Sequence, residues 1–127
     1  MKIRKRRESL HLKIADDVKR TIVRGDIVCG AKLMSVRQYA KTIGVSPGTA
    51  AKVYAELERE GLINCRGAKG TFATKDRCQI GRLRRRLIRG YAERFVKEIK
   101  EPGVSMEEGV KILTKVRAEL DRKRPQE

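Results

Sequence analysis

The sequence predicts a mainly helical chain with one small β-hairpin: three short helices and the hairpin, then two longer helices. Three observations carry this. Apolar residues recur at steps of three and four over most of the chain; glycines fall just past those periodic runs; and the one stretch with strand-like composition surrounds the tip "RGAKG". The chain has 127 residues, enough for one domain or one small domain with an extension.

From Leu10, the residues Ile14, Val18 and Ile22 form one helical stripe, closed by Gly25. The stretch "DIVCGAKLMS" reads as a turn and then a short extended piece around Lys32 to Met34. Ser35 is placed to cap a second helix, with Tyr39, Ala40 and Ile43 inward and Gly44 at its end. In "GVSPGTAAKVYAELEREGLI", Ser46 stands at the N-cap and Pro47 at the first helical position, where a missing N–H costs nothing. Ala50, Val53, Tyr54 and Leu57 follow the i, i+3, i+4, i+7 spacing of a buried face, while Pro47, Gly48, Ala51, Lys52 and Ala55 share the opposite face.

That second face has almost no bulk near the helix start. A helix entering the DNA major groove must bring its first turn close to base edges and phosphates. Small residues permit the approach, free N–H groups and the positive end of the dipole favour phosphate, and Lys52 adds a cation one turn in. A surface helix with small residues by chance is the plain alternative. The Gly-containing turn "IGVS" before it favours a helix-turn-helix. Leu62-Ile63 and Thr71 to Thr74 then form the two sides of a hairpin with a basic, flexible tip. Such a wing reaches a phosphate or the adjacent minor groove, although Lys69 alone does not separate this from a solvated hairpin.

The last two helices span Arg77 to Glu101, with Ile80, Leu83, Leu87, Tyr91, Phe95 and Ile99 as a stripe, and a segment after Pro102-Gly103. The second opens with a capping box, Ser105 and Glu108, and carries Met106, Val110, Leu113, Val116 and Leu120. They predict an αα-hairpin. Two helices do not enclose a ligand cavity by themselves, so a matching hairpin in a second protomer is expected to close a small bundle.

Charge points the same way. There are 32 Lys and Arg against 16 Asp and Glu, a net +16 with pI near 10.3. This biases the partner toward a polyanion, nucleic acid or an anionic membrane surface. Residues 1–7 hold five basic residues and no acidic one, reading as a disordered basic arm. No apolar run approaches the roughly 20 residues of a membrane span. The basic start is not followed by an apolar stretch, so no secretory signal is expected and the location is read as cytoplasmic. Cys29, Cys65 and Cys78 are odd in number and widely spaced, which predicts reduced thiols. With His11 alone there is no zinc set and no His-based acid–base scheme, and no G-x-x-x-x-G-K-[ST] loop occurs. Neither an enzyme nor a cofactor is therefore expected.

Residues 9–74 resemble the winged-helix domain of the GntR family of bacterial transcription regulators, through "LHLKIADDVKRTIVRGDI", "GAKLMSVRQYA", "GVSPGTAAKVYAELEREGLI" and "KGTF". The family pattern G-x-x-L-P-S-x-R-x-L-A matches at Gly30, Leu33, Ser35, Arg37 and Ala40, and departs at Met34 (usually proline) and Tyr39 (usually leucine). Ser9, His11 and Lys13 replace the usual proline, tyrosine and glutamine, His11 being read as a packing residue. The resemblance implies DNA contacts from Ser35, Arg37, Ser46, Pro47, Gly48, Thr49 and Lys52, and from Arg66, Lys69 and Gly70 in the wing. Many members carry a base-reading arginine where this chain has Pro47, which shifts readout toward Arg37. The wing's usual G-x-G-[ST] is Ala68-Lys69-Gly70-Thr71 here, with a glycine displaced to Gly67.

The short two-helix tail is similar to the YtrA-type subgroup, which implies a homodimeric repressor of double-stranded DNA with no large effector domain. No residue points to a small-molecule effector. The expected organisation is an arm over 1–8, a winged helix-turn-helix over 9–75 and a dimerisation extension over 76–127. Its interface is expected at Leu83, Leu87, Tyr91, Phe95, Ile99, Val110, Leu113 and Leu120. Arg82, Arg84, Arg85, Arg86 and Arg89 make either a solvated face or extra phosphate contacts beside the operator. The competing functions are a sequence-nonspecific nucleic-acid coat and a protein–protein adaptor working through the apolar stripes.

Overall fold

The computed structural model describes residues 9–124; the basic arm expected over 1–8 lies outside them. Five helices and one hairpin follow in order: α1 (Leu10–Arg24), α2 (Val36–Ile43), α3 (Pro47–Arg59), β1 (Ile63–Cys65), β2 (Thr71–Ala73), α4 (Arg77–Lys100) and α5 (Met106–Arg122). The chain divides into two compact units, one through Arg85 and one from Arg86. The break falls inside α4, so its first turns belong with the hairpin and the first three helices.

In the first unit α1 and α2 both pack on α3. Their shared core is Ala15, Ile22, Ala40, Ala50, Val53 and Leu57, joined by Leu62, Ile63 and Ala73 from the hairpin. Leu57, Leu62 and Ile63 are fully buried. Truncating such a side chain to alanine costs about 2–5 kcal/mol. Helix ends follow the predicted chemistry: Gly25 and Gly44 take the left-handed conformation, with φ of 83° and 72°. The Asp76 carboxylate accepts from the amides of Cys78 and Gln79 and so opens α4. Gln79 in turn donates to the Glu60 carbonyl at 2.6 Å, tying the start of α4 to the end of α3.

β1 and β2 pair antiparallel, Asn64 opposite Phe72. The extended piece expected around Lys32 adds a third, minimal strand. Lys32 bridges Phe72, the Leu33 amide donates to Thr71 and the Ala73 amide donates to Ala31. The tip, expected to be flexible, is closed by a 3-10 turn over Gly67–Lys69, and the Arg66 amide donates to the Gly70 carbonyl at 2.8 Å.

Two sequence expectations are corrected. Ile43 does not turn inward; at 37% exposed it stands at the outer end of α2. Leu83, expected at a dimer interface, is 2% exposed within the first unit, so its side chain is used in the chain's own core. The expected αα-hairpin is present, and it is open beyond its turn. Gly109 is buried against Ile99 beside the turn, where a Cβ would lie 3.0 Å from the Ile99 side chain. From Val110 to Arg122 every residue of α5 is exposed.

The two departures from the family pattern meet at one residue. The Tyr54 hydroxyl donates to the Met34 carbonyl at 2.6 Å, and its ring lies 5.3 Å from that of Tyr39. Tyr54 thus fixes the entry to α2 against α3. Burial, with smaller contributions from Tyr39 and Cys65, pushes its hydroxyl from 10.0 up to about 12. Folding favours the neutral phenol, so this contribution is complete below pH 10.0 and is lost as pH rises toward about 12. Tyr54→Phe is expected to lower stability by about 1 kcal/mol at neutral pH. It should also flatten the alkaline limb, as read by thermal unfolding from neutral pH upward.

Candidate nucleic-acid interface

α2, the turn Gly44–Ser46 and α3 form a helix-turn-helix whose two N-termini are built alike. The Ser35 hydroxyl accepts from the Gln38 amide at 3.2 Å, and the Ser46 hydroxyl accepts from the Thr49 amide at 3.1 Å. Each serine stabilises its helix end by about 1 kcal/mol. These bonds occupy the two hydroxyls locally. Ser46 also donates to the Thr49 hydroxyl at 3.0 Å, so Ser46 and Thr49 present one joined polar edge.

α3 sorts its residues as the spacing predicts. Ala50, Val53, Tyr54 and Leu57 are buried, while Ser46, Pro47, Gly48, Ala51, Lys52 and Ala55 are exposed. A Cβ added to Gly48 would meet only the Ser46 hydroxyl oxygen, at 3.9 Å. The bareness of the face is therefore not demanded by the packing of the chain itself. Arg37 on α2 and Lys52 on α3 are both exposed, and among the described residues neither pairs with a carboxylate. By contrast Lys19 is held by Asp16 and Glu60, and Arg59, farther along α3, by Glu56.

The wing brings Arg66, Lys69 and Gly70 together at one end of the sheet. The Arg66 guanidinium lies 5.1 Å from the centre of the Phe72 ring, a cation–π contact that orders a long side chain. Gly70 has φ 114° and ψ −169°, a combination open essentially to glycine alone. Sequence reasoning found these residues but not their neighbour Lys32, whose side chain runs past Gly70. Only the pairing of Lys32 with Phe72 reveals it.

The arginine run is largely engaged within the chain. Arg82 is held by Gln79 and Asp76, Arg84 donates to the Val23 carbonyl at the end of α1 at 3.2 Å, and Arg89 pairs with Glu93 at 3.0 Å. Cys29, Cys65 and Cys78 are all free thiols, and Cys29 donates to the Thr74 carbonyl. No helix among the described residues is long and apolar enough to cross a membrane.

Residues 10–73, the span of the helix-turn-helix and wing, match the family described as "Bacterial regulatory proteins, gntR family". The chain belongs to the GntR family. It is accordingly a DNA-binding transcriptional regulator. Within the family it is 37% identical over 108 residues to the HTH-type transcriptional regulator YhcF of Bacillus subtilis, covering 83% of this chain and 89% of YhcF. It is 36% identical over 67 residues to the HTH-type transcriptional repressor YtrA of the same organism, covering 53% of this chain and 52% of YtrA. A GntR family transcriptional regulator from Listeria monocytogenes superposes with a TM-score of 0.81 at 28% identity, over 88% of this chain and 98% of that one. The latter two helices are thus part of a fold this GntR protein shares, not an appendage peculiar to it.

Proposed function

We propose that this GntR protein is a homodimeric, cytoplasmic repressor that binds a pseudo-palindromic operator, reading each half-site with Arg37 and the first turn of α3. The observation that carries this is the bare, uncrowded start of α3 flanked by two unpaired cations, Arg37 and Lys52. Ser35 and Ser46 hold the two helix ends in place, the Gly48 amide and the Thr49 hydroxyl position α3 on phosphate, and Arg37 reads a base. A bidentate arginine–guanine contact discriminates by roughly 1–3 kcal/mol. Arg66, Lys69 and Gly70 of the wing contact the neighbouring backbone.

Support for the dimer comes from the second unit. A single helix the length of α5 is marginal in water without tertiary packing. Yet α5 leaves Val110, Leu113, Val116 and Leu120 on its surface, and α4 leaves Tyr91 exposed with Leu87, Phe95 and Ile99 half-covered. A second copy supplies the missing packing partner, and two-fold symmetry sets half-sites roughly 34–36 Å apart. Repression follows the name of the relative YtrA.

Selection of bound sequences from random duplex DNA at physiological salt tests the whole reading. The expected result is enrichment of an inverted repeat, with Arg37→Ala relaxing preference at one position per half-site. Tight binding without enrichment would overturn it in favour of a nonspecific coat, since a regulator prefers its operator by roughly a thousandfold or more.

A further inference from the structure

Lys32 lies outside the helix-turn-helix and outside the hairpin, yet the fold delivers it to the wing. Its backbone bridges Phe72 in antiparallel fashion, as does that of Asn64 from the other side. Directly opposed residues of a sheet put their side chains on the same face. Lys32 therefore emerges on the Phe72 face, the one over which the Arg66 guanidinium is laid. The opposite face, with Ile63 and Ala73, is the one buried in the core.

From there the Lys32 stem crosses Gly70. A Cβ at Gly70 would lie 2.8 Å from Lys32 Cε and 3.5 Å from Nζ. Gly70 is required by its backbone conformation, and the lysine stem lies in the space that its missing side chain leaves. The ammonium ends beside the 3-10 turn that carries Lys69. It is exposed, and among the described residues no carboxylate pairs with it. Three cations, Lys32, Arg66 and Lys69, then converge on one end of the sheet, where the neighbouring Glu58 carboxylate is taken by the Cys65 amide at 3.0 Å. A stem laid along the sheet also loses less rotamer freedom on contact than a lysine on an open loop.

We propose that Lys32 is a third wing cation that contacts a DNA phosphate next to the operator half-site. This rests on the DNA reading of the wing given above. It assigns a backbone contact, positioning without base preference, to a residue between the helix-turn-helix and α1.

The test is the affinity of the full chain for its selected operator duplex, by fluorescence anisotropy across a salt series. Lys32→Gln keeps most of the stem over Gly70 and removes the charge. Its salt slope is expected to flatten by about 0.9 for each protomer bound. The thermal midpoint should stay unchanged, and Lys32→Arg should restore the slope. Lys75→Gln serves as control, because Lys75 lies against Gly30 instead of the wing tip. An unaltered slope for Lys32→Gln, or one altered equally by Lys75→Gln, overturns the proposal. A wild-type chain with no operator preference overturns the regulator reading itself, a result the wild-type titration gives separately from the variants.

Discussion

Gly48→Glu is expected to leave the fold at least as stable and to abolish DNA binding. Gly48 is the second residue of α3, its backbone is ordinary right-handed helix, and the space its side chain would enter is open. Replacing a helical glycine gains up to about 1 kcal/mol in propensity, and an acid in the first turn adds a few tenths through the helix dipole. On the proposed binding mode the same carboxylate would stand in the groove-facing turn beside phosphate. Like charges so placed cost several kcal/mol, roughly a hundredfold or more in affinity. Gly48→Ala separates bulk from charge: it should gain the stability and keep most of the binding. Thermal unfolding and operator titration on the same samples decide the matter. A Gly48→Glu protein that still binds its operator would show that α3 does not enter the groove by this turn.

The second large effect concerns the exposed stripe of α5. Leu113→Glu with Val116→Glu is expected to convert the proposed dimer to a monomer. Leu113 is 49% and Val116 41% exposed, so the chain itself loses little packing, whereas a second copy would have to bury both charges. Operator affinity should then fall by roughly a hundredfold or more, because the second half-site is no longer bound at an effective concentration set by the first. Binding to a single half-site should persist. Sedimentation that still reports a dimer for the double variant would remove α5 from the interface. The same substitution at Leu83 would report something different, unfolding of the first unit, because that side chain is already buried there.

These two sites show how far the sequence reaches. The start of α3 was legible because every signal in it is local. Ser46 caps, Pro47 fits the first turn, and the i, i+3, i+4 spacing separates Ala50, Val53, Tyr54 and Leu57 from the bare face. Neighbours within a turn impose all of this. The same holds for Ser35, Ser105, and the ends at Gly25 and Gly44.

What the sequence by itself determined, then, is which segments are helical, where they begin and end, and which residues share a face. It did not determine what covers each face. The α4 stripe from Ile80 to Ile99 is one unbroken period, yet the fold divides it. Leu83 is taken by the core of the first unit, and Tyr91 is left exposed in the second. Periodicity records apolar character, and the competition among surfaces for that character is settled only when distant segments meet. The pairing of Lys32 with Phe72 is of the same kind. The sequence marks an extended piece around Lys32, but nothing local names the partner of a single bridging residue, which lies forty residues away. Only the closed sheet places that lysine across Gly70, at the end of the wing that its charge is proposed to serve.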